Sequence, residues 1–170
     1  MRLFFLGKNI FLCPINYLIL YDKIITVTLL MIEFHPFFVH FPIALNVFAL
    51  MLSCSSIFVD RISKFYIIVV IATGSIMTLI SAYTGNVAEV QASKIQDIGI
   101  SLSRHQELGN YLVWSSILFS LILIYLFLKQ KLNKSMLIVV SAYLAYLSIK
   151  CGYHGSILVY QFGAGTSIGK

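Results

Sequence analysis

Charge is what this chain has least of. Only 11% of its 170 residues are Asp, Glu, Lys or Arg, less than half the share of an ordinary soluble domain. Hydrophobic residues make up 59%, and no soluble fold of this size could hide so much apolar surface, so the solvent must be lipid. Cysteine is scarce too. Cys13, Cys54 and Cys151 are odd in number and form no C-x-x-C pair, which gives no support to a disulfide framework or a thiolate metal site. They read as small apolar side chains. There is no P-loop, nucleophile elbow, H-E-x-x-H or paired-carboxylate arrangement, so conventional catalysis has thin support and an enzymatic activity is left open. Twelve Lys and Arg against six Asp and Glu would suit a nucleic-acid partner, but the basic residues sit in short clusters between apolar runs, as in membrane proteins.

What the chain has is four apolar runs long enough to cross a bilayer, which takes about 20 helical residues. The first starts at His40 or Phe41 and ends near Val59; the others run Phe65 to about Thr84, Leu108 to Leu128 and Met136 to about Gly155. The short connections "DRISK" (60–64) and "KQKLNKS" (129–135) join antiparallel neighbours. The predicted fold is therefore all-α, an integral membrane four-helix bundle of up-down topology. The middle connection, 86–106, is longer and polar, with Val87, Val90, Ile95, Ile98 and Ile100 at helical intervals; it reads as a partly helical interfacial segment. On the second helix Gly74, Thr78, Ala82 and Gly85 share a face, a seam for close packing in lipid.

Orientation follows from the lysines and arginines. The short connections carry Arg61, Lys64, Lys129, Lys131 and Lys134, whereas the long one has Lys94 and Arg104 beside Glu89 and Asp97. The short loops are expected in the cytoplasm, the long one outside. Lys150, near the end of the fourth helix, runs against this pattern but can snorkel to headgroups.

Residues 1–34 form an apolar extension ahead of a four-span domain at 35–166. The run from Ile10 to Ile32 could be a fifth span, although Asp22 and Lys23 interrupt it. A translation start at Met31 is the alternative, and no small-x-small site marks a signal peptide.

The histidines complete the pattern. His35 and His40 lie at the start of the first helix, His105 just before the third and His154 at the end of the fourth. An even number of crossings separates these positions, so all four histidines gather at one face, the non-cytoplasmic one. Imidazole is the commonest ligand of transition metals and serves haem iron. The set His40, His105, His154 and His35 is thus a candidate for one haem b or one transition metal ion, with His40 and His105 as leading pair. A two-haem arrangement is excluded, since the other half of the bundle has no histidine. The bland alternative is four amphipathic side chains at the headgroup level. Pro36 and Pro42 complicate the entry: either the helix kinks, or it begins near Phe41 and "HPFFVH" is interfacial. His35 and His40, five apart, point to different sides of an ideal helix. Other polar candidates at this face are Glu33, Tyr83, Thr84, Glu89, Gln106, Glu107, Asn110, Tyr153 and Tyr160. "SILVY" (156–160) is expected to fold back on the bundle mouth near His154 and His40.

"HPFFVHFPIAL" (35–45) resembles the opening motif of a bacterial family of small membrane proteins known as domain of unknown function 2231. "GYHGSILVYQFGAGT" (152–166) is similar to its closing motif, and His105 in "RHQELGN" sits where the family carries a histidine. The resemblance covers about residues 31–166. Ser156, Ala164 and Thr166 depart from the family pattern, which weakens a tight backbone approach at 155–156. The resemblance implies a multi-pass protein of a bacterial inner membrane, a start at Met31, and an association of some relatives with redox or iron–sulfur modules. Three functions compete on these grounds. One is a redox or metal-binding membrane subunit serving electron transfer beside other membrane or redox subunits. Another is a structural or assembly subunit without cofactor. A transporter-like homo-oligomer comes third.

Overall fold

The computed structural model of the chain describes residues 34–165, together with Leu20, Lys23 and Thr26. The proposed fifth span and the start at Met31 lie outside the described residues. Four helices follow one another: α1 (His40–Phe58), α2 (Lys64–Ala92), α3 (Gly99–Leu128) and α4 (Lys134–Phe162). A short helical segment, 34–38, precedes α1. With that segment joined to α1, all four are long and apolar enough to cross a membrane. The described residues form an all-helical bundle in which α1 and α3 are each flanked by both α2 and α4.

Side chains set the helix starts at one end. The Ser63 hydroxyl accepts from the Phe65 N–H at 3.3 Å and the Asn133 side-chain oxygen accepts from the Met136 N–H at 2.8 Å, each satisfying an orphan donor. The lysine after each cap reaches a carbonyl elsewhere: Lys64 Nζ donates to Leu132 O, and Lys134 Nζ to Ser56 O and to Asp60. At the other end α4 stops at Gly163, whose φ of 68° lets the Gly163 and Ala164 N–H groups turn back to Val159 and Leu158 carbonyls.

Between α1 and the segment before it lies a local break at Val39. Pro42 has no N–H to offer the carbonyl four residues back, at Phe38. The chain nevertheless continues in nearly the same path, because the Val39 N–H bonds to His35 O at 3.1 Å. The entry is a helix with a proline-loosened turn.

Three helices are longer than their apolar runs. The long connection is no element of its own: α2 extends to Ala92, α3 starts at Gly99, and the turn between them is brief. Val87 and Val90 were spaced helically because they continue α2. Ile98 of the turn is buried with Leu158 and Ala164. "SILVY" does not fold back either; it belongs to α4, and the chain turns only after Gly163.

The main core is built from Ala49, Ile67, Ile71, Leu123, Leu137 and Leu144, with neighbours from every helix. Hydroxyls and an amide cross it between helices: Ser53 with Ser141 at 3.0 Å, Ser75 with Ser120 at 2.7 Å, and Asn46 Nδ2 to Ser148 Oγ at 2.7 Å. Small polar residues admit close helix approach in lipid, and each such bond adds about 0.6 kcal/mol. The seam on α2 is real at two of its residues. Gly74 lies against Asn46 and Leu45, and Gly85 against His35.

Candidate functional site

Two imidazoles are built into helix–helix contacts at the end of the bundle opposite the two lysines. His35 leaves the segment before α1 and packs on α2. A Cβ at Gly85 would stand 3.0 Å from its Cε1, so the ring occupies the space that a side chain at 85 would need. His105, in the second turn of α3, packs on α4 in the same way, with a Cβ at Gly155 falling 3.2 Å from its Cε1. Both rings are half-buried.

The hydrogen bonds fix which nitrogen carries the proton. His105 Nδ1 lies 3.1 Å from Cys151 O, a carbonyl that can only accept, so Nδ1 donates. The Cys151 thiol returns the contact to His105 O at 3.9 Å, tying α3 to α4 twice. His35 Nδ1 lies 3.0 Å from Thr84 Oγ1. The same hydroxyl lies within hydrogen-bond distance of the Ser81 and Ile80 carbonyls, at 3.0 and 3.1 Å, so it can accept from Nδ1 while donating to one of them. These bonds engage Nδ1 of each ring rather than Nε2. Orienting a ligating histidine through its other nitrogen is how metal sites are commonly prepared.

The glycines explain how a helix can accept the ring. A side chain leans toward the N-terminus of its own helix, so the residue at i+4 covers the carbonyl of residue i. Glycine at 85 uncovers Ser81 O, and glycine at 155 uncovers Cys151 O. Sequence reasoning placed Gly85 in a packing seam and missed Gly155. The signal was present as "SAYTG" (81–85) and "CGYHG" (151–155), each fifty residues after a histidine.

The four expected ligands do not all converge. His35 lies within electrostatic range of His105, and His105 within range of His154. His154 is half-buried and stands edge-on to Tyr153, ring centroids 5.6 Å apart. His40 is exposed, and its Nδ1 turns back to Pro36 O at 2.5 Å. The five-residue offset has separated His40 from His35, as an ideal helix would, and the imidazole that joins His105 inside the bundle is His35. Among the described residues no group of three or more His, Cys, Asp or Glu is arranged to hold a metal ion.

Of the other polar candidates, Thr84 enters the site as the acceptor for His35, and it is 1% exposed. Tyr83, Tyr153 and Tyr160 are exposed, the position expected of tyrosine at a membrane surface. Glu107 and Asn110 are exposed, while Glu33 lies outside the described residues. Among the described residues the buried Ser81 hydroxyl has no hydrogen-bond partner.

No curated protein and no solved structure matches this chain. A family model does, that of the predicted membrane protein family DUF2231, over residues 31–168. The motifs that hold His35 and His105 fall inside that stretch, and the chain belongs to this family.

Proposed function

We propose that the protein is a membrane redox subunit that holds a single metal centre, haem b, between His35 and His105. The observation that carries the reading is a pair of imidazoles whose Nδ1 atoms are already engaged, by Thr84 Oγ1 and Cys151 O, so that each would offer Nε2 to a ligand. The donor set supports haem over a bare ion. Zinc and non-haem iron usually take three or more protein ligands, whereas haem iron needs from the protein only its axial donors. Haem would supply one-electron transfer at this end of the bundle. The chain's own residues would do the rest: Thr84 and the Cys151 carbonyl hold the rings at Nδ1, Gly85 and Gly155 set ring depth, and the small core of Ile98, Leu158 and Ala164 lies one turn beyond Gly155. His154 has the support position, with His40 at the surface. The excess of Lys and Arg in the short loops supports a non-cytoplasmic site, in a bacterial inner membrane beside other redox subunits.

The protein purified in mild detergent from haem-replete cells tests this. Visible absorbance and iron near one per chain are expected, both lost in His35→Ala and His105→Ala and retained in His40→Ala. Colourless, metal-free protein would reject the reading. It would favour a structural or assembly subunit, which the complete Nδ1 bonding of both rings without any ligand also suits.

A further inference from the structure

The two histidine seats repeat each other too closely in the chain to be separate features. Shifted by seventy positions, the first half of the bundle falls on the second. His35 lands on His105, Tyr83 on Tyr153 and Gly85 on Gly155. Ser63-Lys64 lands on Asn133-Lys134, and Ile68-Val69-Val70 on Ile138-Val139-Val140.

The matched residues also do the same things. Ser63 and Asn133 both cap the helix that follows. Each lysine reaches into the other half: Lys64 to Leu132 O and Lys134 to Ser56 O. Ile67 and Leu137 are both fully buried. Ser81 and Cys151, each four positions before its glycine, are seventy positions apart as well, and Cys151 O holds the His105 ring. Exchanging α1 with α3 and α2 with α4 leaves the pattern of helix neighbours unchanged.

We infer that the chain is one helical hairpin occurring twice, at 35–92 and 105–162, about a pseudo-twofold axis along the bundle, and that His35–Gly85 and His105–Gly155 are two copies of one imidazole seat. The site is then two-fold. It suits a ligand gripped alike from two sides, one nitrogen from each half, as a metal centre with two opposed free positions would be. The nature of the ligand rests on the haem reading; the equivalence of the seats does not. The copies diverge beside the shared tyrosine, where Thr84 stands in one half and His154 in the other. The first copy therefore holds its ring by a hydroxyl, and the second by a carbonyl.

The test uses the full chain in lipid nanodiscs with ¹⁵N-labelled histidine, signals assigned through His35→Gln and His105→Gln. Both rings are expected as Nδ1–H tautomers. Gly85→Ala should release the His35 ring from that tautomer, Gly155→Ala should do the same to His105, and one equivalent of hemin should remove both signals together. A glycine substitution that disturbs one ring while its counterpart leaves the other untouched would overturn the two-fold seat, as would hemin that removes one signal alone. Matched glycine effects with no response to hemin would sustain the seat and reject the haem reading. Should a glycine variant fail to fold, the thermal stabilities of the two His→Gln proteins decide: comparable losses sustain equivalence, and a loss confined to one overturns it.

Discussion

His105 and Gly155 stand so close that a single methyl group at 155 would lie 3.2 Å from the imidazole Cε1. The glycine on α4 is therefore part of how α3 presents its histidine. The same holds for His35 and Gly85 at 3.0 Å.

Gly155→Ala should force a few tenths of an ångström of movement at the ring, and Gly85→Ala somewhat more. Overpacking of this kind costs about 1–3 kcal/mol, partly offset by alanine's better helix propensity, worth about 1 kcal/mol. Thermal unfolding in detergent, followed by circular dichroism, should show both variants destabilised, with Gly85→Ala the worse. A gain in stability in either would mean that the ring does not occupy the seat.

Thr84→Val keeps shape and removes the hydroxyl that accepts from His35 Nδ1. The expected loss is about 1 kcal/mol, together with a shift of His35 from one tautomer to a mixture in the nitrogen spectrum. Thr84→Ser should retain both properties. If Val and Ser behave alike, the hydroxyl does not hold the ring.

Asn46 is 1% exposed, gives its Nδ2 to Ser148, and turns toward Gly74 an Oδ1 without a hydrogen-bond partner among the described residues, where a Cβ would come within 3.2 Å. Gly74→Ala should therefore destabilise the wild-type chain and cost much less in an Asn46→Ala background. A double-mutant cycle should show a coupling of about 0.5–3 kcal/mol. Strict additivity would contradict the contact.

At the opposite end, Lys134 bonds both Ser56 O and the exposed Asp60 carboxylate. Exposed ion pairs are worth about 0–1 kcal/mol, whereas the carbonyl bond closes the last turn of α1. Lys134→Met should lower thermal stability more than Asp60→Asn does, and high salt should not remove the difference. Equal effects from the two variants would assign the role to the ion pair.

The helices were legible as apolar runs because the hydrophobic requirement of a bilayer is written residue by residue. Their outer turns were not. Val87, Val90, Ile100 and "SILVY" continue helices past the apolar depth, where backbone bonding rather than lipid decides conformation. Counting crossings was enough to bring the histidines to one end of the bundle. It put His40 ahead of His35 as the partner of His105, whereas Pro42 loosens the turn between them without turning His40 inward. Thr84 appeared only as one polar residue among several, because its role depends on which carbonyls take its proton. The glycine seats were open to inspection in "SAYTG" and "CGYHG", had the chain been compared with itself.

The most direct measurement is an optical titration of the metal-free full chain with hemin in nanodiscs, repeated on His35→Ala, His105→Ala and His40→Ala. The account predicts one hemin per chain in a six-coordinate, bis-imidazole spectrum for the wild type and for His40→Ala, and a five-coordinate or absent species in the other two. A His40→Ala protein that loses the spectrum while His35→Ala keeps it, or a wild type that binds no hemin, would contradict it.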